Sequence, residues 1–452
     1  MLKIGQITDL HCRFNLPGSS KCIPRRSRDM VSLFKKALKK LQVEQVDIII
    51  LTGDILDVPD VLLKPNDYYD YDLENLKSQT KRDYLLFQEI LDETGLPYVV
   101  LPGNHDLDAV FWEVFDKNKN EVIVKEHRFI RFCDRELDGQ AHRYDYERVR
   151  MLDVLEDDNE LPQIHLQHYV ITPELNDGYR HTYFDSSDII KKLGASKRVK
   201  LSMNGHYHGG TDLISIDNTN YVTGPSFSEF PHPIRVFELE ENNIVTKTIE
   251  LLDQPIHFNK PVAFLDRDGV INTLSAYRTG PDLFELTNNS GQAIANLHKA
   301  GFVVVVITSQ SCVGQGYVSP NTIFANHDYL CNMLRENGGD EAQPDLILFS
   351  TGANQSAVHE DFVDSSNAKP STVLPEQALE LLKARLEGSF FVGDNIGDIE
   401  TGNNLNIDSY LVQTGAGSSV HEKLQSNNNK KLNYEVVADL FTLSKLLLEK
   451  TT

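Results

Sequence analysis

The sequence predicts an α/β protein with two domains, and three observations support this prediction. At 452 residues the chain exceeds the length that one hydrophobic core usually supports. Short runs of Val, Ile and Leu alternate with amphipathic stretches, a pattern typical of strands alternating with helices. These apolar runs end in polar residues, so we expect functional groups at the carboxyl ends of strands, where ligands bind in open α/β sheets.

Composition and charge narrow the possible functions. Hydrophobic residues at 40% and charged residues at 24% fit an ordinary soluble enzyme. The formal net charge of -22 repels polyanions, so small substrates are expected rather than long nucleic acids or anionic membranes. Five cysteines form no C-x-x-C pair, which favours a reducing compartment such as the cytoplasm. No secretion signal is predicted, because no charged n-region and apolar h-region precede the first strand, and no membrane span is predicted, because no apolar run approaches ~18 residues.

The first half contains the strand-like runs VDIIIL and PYVVL, separated by a helical pattern over 76–93. An acidic turn, ELEENN, and the strand-like run IVTKTIELL close this half. The segment DQPIHFNKP then leads into a new buried strand. We therefore place the boundary in this segment and expect domains at 1–254 and 261–452.

The second half repeats the alternation with its own strands and helices. Each strand-like run again ends in polar residues, which predicts a second α/β domain with its own site. The runs VAFLD, FVVVVIT, DLILFS and FFVGD alternate with helical patterns around 291–300, 323–336 and 376–384.

Five polar clusters follow apolar runs in the first half. Carboxylate and amide oxygens mixed with imidazoles suit Mn²⁺, Fe²⁺, Zn²⁺ or Ni²⁺ better than Ca²⁺. One histidine alone is more often structural, but five ordered clusters indicate a shared site. The clusters are Asp9-x-His11, Gly53-Asp54-x-x-Asp57, Gly103-Asn104-His105-Asp106, His168, and Gly205-His206-Tyr207-His208.

This ordered set resembles the calcineurin-like metallophosphoesterase family, whose pattern D-x-H, G-D-x-x-D, G-N-H-D, H and G-H-x-H is matched over residues 1 to about 250. The resemblance implies a four-layer α/β/β/α sandwich and two divalent transition metals, which activate a water and neutralise the phosphoryl group. His105 would protonate the leaving oxygen, and Asp106 would orient its imidazole. One metal would be held by Asp9, His11, Asp54 and His208, and the other by Asp54, Asn104, His168 and His206.

A basic cluster, KCIPRRSR, follows the first ligand pair in this acidic protein. It precedes a helix expected to begin near Ser27, where positive charge opposes the helix macrodipole. We therefore hypothesise that Arg25 and Arg26 bind anions at the mouth of the metal site. The alternative is a solvated positive loop.

A second set of polar residues follows the strands of the second half. A carboxylate can attack phosphorus only if a cation screens its repulsion from the phosphate, which explains aspartates clustered on adjacent strand ends. Lysine and hydroxyl groups can then hold the phosphoryl oxygens. The set is Asp266, Asp268, Thr308, Ser309, Lys369, Asp394 and Asp398.

These residues resemble the haloacid-dehalogenase superfamily. The segments FLDRDGVIN and TSQSCVGQGYVS are similar to its histidinol-phosphate and heptose-bisphosphate phosphatase branch, over about residues 260 to 450. The resemblance implies a Rossmann-like parallel sheet without a large cap, and Mg²⁺ as cofactor. It also implies Asp266 as the nucleophile and Asp268 as the general acid and base. The phosphoryl oxygens would be bound by Thr308, Ser309 and Lys369. The magnesium would be held by Asp266, Asp268 and Asp394, with Asp398 supporting these ligands.

Two departures limit the resemblance to that branch. The branch carries a Cys/His zinc loop before its lysine, whereas residues 350–368 contain no cysteine, so zinc is not predicted there. Cys312 replaces a glycine of the branch, so specificity for a sugar bisphosphate is not carried over.

Together these features predict a bifunctional phosphohydrolase acting on small phosphorylated metabolites or nucleotides, with the two domains possessing complementary chemistries that could act in sequence. Two alternatives remain open. One is end-healing of RNA or nucleotides, in which a cyclic phosphodiester is opened and the 3'-phosphate removed. The other is that one domain is a non-catalytic regulatory module, although complete ligand sets in both halves speak against it.

Overall fold

The computed structural model describes residues 1–16, 18, 20–22, 24–59, 63, 73–173, 175, 182–240, 243–273, 285–357, 363–426 and 432–450. The chain divides into two compact units. Unit 1 comprises Met1–Leu16, Pro24–Val58 and Glu74–Gln254, and unit 2 comprises Pro17–Ile23, Pro59–Leu73 and Pro255–Thr452.

Unit 1 is built from two sheets and the helices that cover them. Its strands are β1 (Leu2–Ile7), β2 (Ile48–Leu51), β3 (Tyr98–Val100), β4 (Glu121–Val124), β5 (His127–Arg131), β6 (Asp134–Leu137), β7 (Gln140–Arg143), β8 (Gln163–Leu166), β9 (Val199–Asn204), β10 (Ile214–Ile216), β11 (Thr219–Thr223), β12 (Pro233–Glu240) and β13 (Asn243–Glu250). Its helices are α1 (Met30–Val43), α2 (Leu73–Asp92), α3 (Asp108–Val114), α4 (Asp145–Glu156) and α5 (Ser186–Ser196).

The two large sheets of unit 1 pack face to face. One has the strand order β13-β12-β1-β2-β3 and the other β10-β11-β9-β8-β5-β4. Ile50, Phe129 and Leu201 belong to one buried apolar cluster that contains residues of both sheets. On the outer faces, a Cβ on Gly5 of β1 would lie 2.8 Å from the Leu41 side chain of α1, and Met151 of α4 belongs to a cluster with β5 and β9 residues. The α/β/β/α sandwich implied by the sequence is therefore confirmed.

The strand directions of unit 1 bring its polar clusters to one edge of the sandwich. Strands β1, β2 and β3 are parallel to one another, as are β8 and β9 in the other sheet. Asp9, Asp54, Asn104, His168 and His206 each follow the carboxyl end of one of these five strands. Parallel strands end on the same side of a sheet, so residues far apart in sequence meet there.

Unit 2 is an α/β unit around a single parallel sheet with the order β16-β15-β14-β17-β18-β19. Its strands are β14 (Pro261–Leu265), β15 (Val303–Ser309), β16 (Leu346–Ser350), β17 (Arg385–Gly393), β18 (Asp408–Val412) and β19 (Glu435–Val437). Its helices are α6 (Ser290–Lys299), α7 (Ser311–Gly314), α8 (Pro320–Gly338), α9 (Val373–Leu382), α10 (Ile396–Asn404), α11 (Gly417–Ser426) and α12 (Leu440–Glu449).

Helices cover both faces of this sheet because its strands are apolar on both sides. Leu265 of β14 packs in a cluster with Leu297 of α6 and Leu334 of α8. Its neighbour Phe264 faces the other way, in a cluster with Leu374 of α9. The Rossmann-like prediction is therefore confirmed, and the described part of unit 2 contains no separate cap module. No helix among the described residues is long and apolar enough to span a membrane.

Candidate active sites

The histidines and aspartates predicted to bind two metals lie close together in unit 1. Three overlapping groups have ligand atoms within 4.8 Å of one another. Asp54 belongs to two of them, as expected for a bridging carboxylate. The Asn104 Oδ1 atom lies 3.1 Å from His168 Nε2, which places the amide oxygen beside the third group. The groups are Asp9, His11 and His208; His11, Asp54 and His105; and Asp54, His168 and His206.

The backbone around these side chains is held in a conformation that non-glycine residues seldom adopt. Asp9, His11, Asp54 and His206 have φ values of 53°, 48°, 51° and 69°. Such left-handed residues concentrate at functional sites, where the surrounding structure enforces them. At Gly103 a Cβ would lie 2.2 Å from Asp54 Oδ1, so only glycine lets the third loop approach that carboxylate.

Hydrogen bonds from the outer ring nitrogens orient two of the imidazoles. His168 Nδ1 lies 2.8 Å from the Thr52 carbonyl oxygen, and His208 Nδ1 lies 2.6 Å from Glu229 Oε1. Donation from Nδ1 leaves each Nε2 lone pair facing the cluster, the arrangement commonly found behind metal-bound histidines. Sequence reasoning did not identify Glu229, because it stands outside every motif in the segment FSEF.

The donor set fits divalent transition cations. His11 Nε2 and His208 Nε2 are 3.2 Å apart, and His168 Nε2 and His206 Nδ1 are 3.1 Å apart, so ring nitrogens converge in pairs. Burial would lower the pKa of His168, but the Asp54 and Asp9 carboxylates raise it to about 9. The two carboxylates thus favour positive charge at His168, and the mixed nitrogen and oxygen donors of the cluster suit borderline ions.

The residue that orients His105 is Asp57, so the expectation for Asp106 is wrong. His105 Nδ1 lies 2.7 Å from Asp57 Oδ1, and Asp57 Oδ2 accepts a hydrogen bond of 3.0 Å from Arg13 Nε. The Asp106 carboxylate points elsewhere, because it accepts hydrogen bonds from three backbone N–H groups of the loops after β2 and β3 and from the Tyr84 hydroxyl. Asp106 therefore supports the loops, whereas Asp57 contacts the imidazole.

The two arginines predicted to bind anions differ in position. Arg25 lines an open cavity of about 360 Å³ together with Asp54, Asn104, His105 and Tyr207. Arg26 is not among the residues that line this cavity, and its Nε and Nη2 atoms donate to Asp29 Oδ2 at 3.1 and 2.9 Å. The following helix begins at Met30 rather than near Ser27. Only Arg25 is therefore placed to meet an anion at the site.

In unit 2, carboxylates from two strand ends meet around a lysine. Asp266, Asp394 and Asp398 offer oxygens within 4.8 Å of one another. Lys369 Nζ lies 2.6 Å from both Asp266 Oδ1 and Asp398 Oδ1. Thr308 is buried at the end of β15, whereas the next residue, Ser309, is exposed.

The electrostatics of this carboxylate group favour a cation. Burial raises the pKa of Asp266 to about 7, aided by the Asp398 charge and opposed by Lys369. Burial likewise raises the pKa of Asp394 to about 6. A hard cation with oxygen ligands, such as Mg²⁺, fits this set. Gly269 has φ 83°, and a Cβ there would lie 2.0 Å from Asp394 Oδ2, so the loop after β14 requires glycine.

The Asp268 carboxylate lies outside this three-carboxylate group, and its place at the magnesium stays a prediction. It accepts hydrogen bonds from Arg267 Nη2 at 2.8 Å, Asn272 Nδ2 at 2.9 Å and Gln310 Nε2 at 3.2 Å. Burial alone would raise the pKa of Asp268, but the Arg267 guanidinium and these hydrogen bonds lower it below its ordinary value. Sequence reasoning did not assign Arg267 or Gln310, although both stand inside the quoted motifs.

Comparison with known proteins finds a match for each half of the chain. Residues 2–210 match the family model of calcineurin-like phosphoesterases, and residues 366–442 match that of HAD-like hydrolases. A D-glycero-α-D-manno-heptose-1,7-bisphosphate 7-phosphatase from Photorhabdus laumondii is 31% identical over 194 residues, covering 42% of this chain and 98% of that relative. The chain belongs to both families: its N-terminal part is a calcineurin-like phosphoesterase and its C-terminal part is a HAD-like hydrolase.

Both units of this fused phosphohydrolase also resemble solved structures. The D,D-heptose 1,7-bisphosphate phosphatase from B. bronchiseptica, complexed with magnesium and phosphate, is 28% identical, with a TM-score of 0.36 over 42% of this chain and 99% of that one. A dimetal phosphatase from Danio rerio is 15% identical, with a TM-score of 0.44 over 56% of this chain and 96% of that one. The family matches identify the fusion as a phosphoric ester hydrolase.

Proposed function

We propose that the chain is a bifunctional phosphohydrolase whose two sites act independently on small phosphorylated compounds. Unit 1 would cleave a phosphodiester or a first phosphomonoester, and unit 2 would remove a remaining phosphate. The observation that supports this best is that each unit contains its own cluster of side chains that could hold a metal ion. Buried clusters of like charge are costly, so their presence in both units favours two catalytic sites over one catalytic and one regulatory unit.

In unit 1, His105 and Arg25 would act directly on the substrate. Two divalent ions, held by the predicted aspartate, asparagine and histidine ligands, would supply an activated water and neutralise the phosphoryl oxygens. His105 would give a proton to the leaving oxygen, with its ring fixed by the 2.7 Å contact to Asp57. Arg25, in the wall of the same cavity, would bind a phosphoryl oxygen.

In unit 2, Asp266 would attack phosphorus and form an aspartyl phosphate. Bound Mg²⁺ would screen the repulsion between the carboxylate and the phosphate. Lys369 Nζ, 2.6 Å from Asp266 Oδ1, and the buried Thr308 hydroxyl would hold the phosphoryl oxygens. Asp268 would protonate the leaving oxygen and then deprotonate the water that hydrolyses the intermediate.

Small phosphorylated sugars, polyols or nucleotides are the substrate class that we propose for unit 2. The relative from Photorhabdus laumondii is named for a heptose bisphosphate, which supports a phosphorylated sugar. Cys312 stands where that branch has glycine, so we do not extend the sugar identity to this chain. The net charge of -22 disfavours long RNA, and end-healing of short RNA ends is left as an outcome of the experiment.

The test separates the two sites with one substitution in each. Wild type, Asp54→Asn and Asp266→Asn are assayed with bis(p-nitrophenyl) phosphate, a 2',3'-cyclic nucleotide and p-nitrophenyl phosphate, in Mn²⁺ and in Mg²⁺, and the bound metal of each protein is measured. We expect Asp54→Asn to lower diester cleavage on the order of 100-fold or more and to spare Mg²⁺-dependent monoester cleavage. We expect Asp266→Asn to abolish Mg²⁺-dependent monoester cleavage and to spare diester cleavage, because it removes the proposed nucleophile of unit 2.

Loss of both activities in either folded variant would contradict independent sites. Diester cleavage confined to 2',3'-cyclic nucleotides would favour the end-healing alternative. A wild-type protein with only one activity, and metal bound in only one unit, would favour the regulatory alternative.

A further inference from the structure

A buried arginine lies directly behind the proposed acid-base group of unit 2. Arg267 is 5% exposed, although it follows the nucleophile in sequence. Its Nη2 atom lies 3.0 and 2.8 Å from the two carboxylate oxygens of Asp268, and its Nε lies 3.2 Å from Oδ1. A guanidinium that contacts both oxygens restricts a carboxylate to one orientation more strongly than a single hydrogen bond does.

Two amide side chains complete this arrangement. Gln310 donates from Nε2 to Asp268 Oδ2 at 3.2 Å and to Thr308 Oγ1 at 2.9 Å, and its Oε1 accepts from Arg267 Nη2 at 3.2 Å. Asn272 Nδ2 donates to Asp268 Oδ1 at 2.9 Å. Gln310 therefore connects the proposed acid-base group, its arginine and the proposed phosphoryl binder in one network.

The arginine is itself held from the far side. His327 of α8 is 5% exposed, and its Nε2 lies 3.2 Å from Arg267 Nη1, where it can accept a hydrogen bond. Burial and the nearby guanidinium lower the pKa of His327, so the ring is neutral and able to accept. The guanidinium thus has partners on both sides and cannot turn away from Asp268 without losing one of them.

We propose that Arg267, Gln310 and Asn272 form a clamp that fixes the Asp268 carboxylate for proton transfer, with Arg267 as its central positioning residue. This inference rests on the proposed function of unit 2. In the first step the bond from Asp266 oxygen to phosphorus forms, the ester P–O bond breaks, and the leaving oxygen takes the proton of Asp268. In the second step a water oxygen bonds to phosphorus, one of the two water protons passes to the Asp268 carboxylate, and the bond from Asp266 oxygen to phosphorus breaks.

The clamp matters most when the leaving group needs its proton. An alkoxide leaves poorly without protonation, whereas p-nitrophenolate leaves readily. Loss of a well-placed acid therefore lowers the rate for an alkyl phosphate more than the rate for p-nitrophenyl phosphate. A residue that only maintained the fold would lower both reactions alike. The ratio of kcat/KM for p-nitrophenyl phosphate to that for glycerol 2-phosphate therefore measures the clamp, because kcat/KM covers the steps through formation of the aspartyl phosphate.

The experiment measures this ratio, with Mg²⁺, in full-length wild type, Arg267→Met, Gln310→Leu and Asp268→Asn. We expect Arg267→Met to raise the ratio by roughly tenfold or more, and Gln310→Leu to raise it by a smaller factor. Arg267→Met in the Asp268→Asn background should change the ratio no further, because the group being positioned has been removed. Gln310→Leu keeps the test valid if the buried arginine variant does not fold, as judged by circular dichroism.

Equal loss on both substrates in folded variants, or effects of Arg267→Met and Asp268→Asn that simply multiply, would overturn the clamp. Failure of the proposed function has a different signature. In that case Asp266→Asn would retain Mg²⁺-dependent monoester cleavage.

Discussion

At the scale of single residues, the adjacent arginines of unit 1 offer a matched pair. Arg25 lines the cavity beside the metal-ligand cluster, and Arg26 is paired with Asp29. We expect Arg25→Ala to raise KM for bis(p-nitrophenyl) phosphate by about tenfold, the effect of losing one charged hydrogen bond to a phosphoryl oxygen. Arg26→Ala should change KM by less than about twofold. Equal effects of the two substitutions, measured in steady-state assays with Mn²⁺, would contradict this assignment.

The same scale shows what the sequence could and could not predict about the sites. The order of the motifs was enough to predict that Asp9, Asp54 and His206 lie near one another, because parallel strands end at the same edge of a sheet. It did not indicate which way a side chain points within a motif, so Asp106 was assigned the role that Asp57 occupies. Glu229 lacked any signal, since its contact with His208 depends on long-range packing.

At the scale of elements, apolar periodicity predicted helix α8, and a polar N-cap marks where the helix begins. The apolar spacing predicted a helix over 323–336, and α8 occupies Pro320–Gly338. The added first turn follows from local chemistry that apolar spacing does not include. Ser319 accepts a hydrogen bond from the Thr322 N–H as N-cap, and Pro320 occupies the first turn. The start of α8 is therefore set by polar groups outside the apolar pattern.

Helix α10 gives a prediction at this scale, because Asp398 in its first turn also contacts Lys369 of the proposed site. Asp398 Oδ2 accepts from the Asn395 N–H at 2.9 Å in a capping box, while Oδ1 contacts Lys369 Nζ at 2.6 Å. Asp398→Ala removes both contacts and should lower the free energy of unfolding by roughly 3 kcal/mol. Asp398→Asn can still accept from the N–H, so it should lose less stability. Urea unfolding of both variants measures which one loses more stability, and equal losses of stability would contradict a capping role for Asp398.

At the scale of the whole molecule, the sequence predicted two α/β units but not every segment that belongs to each. The division after Gln254 falls at the edge of the boundary segment that composition indicated. Among the described residues, 20–22 and 59 group with unit 2, although they precede most of unit 1 in sequence. Local patterns report strands and helices, whereas such grouping depends on tertiary packing, which a single sequence does not display.

The stability of unit 2 should depend on pH through a partly buried cluster of two histidines and an aspartate. Asp345 lies 3.2 Å from His257 Nε2 and 3.0 Å from His298 Nε2, and it also accepts from the Val304 N–H of β15. Burial would lower the pKa of His298, but Asp345 raises it to about 9. Burial would raise the pKa of Asp345, yet the two imidazoles hold it well below its usual range.

The signs of these shifts define the pH window. A raised histidine pKa contributes stability below about pH 6.5, which is lost as pH rises through about 9. The depressed aspartate pKa contributes stability above about pH 4, which is lost only in stronger acid. Asp345→Asn should therefore lower the unfolding temperature of unit 2 by several degrees near pH 6, and the difference in unfolding temperature between variant and wild type should narrow near pH 10.

Calorimetry at both pH values measures this gap in unfolding temperature. Thermal inactivation of diester cleavage serves as the control, because His257, Asp345 and His298 all belong to unit 2. A gap that stays constant with pH would mean that hydrogen-bond geometry, rather than charge, is what Asp345 contributes.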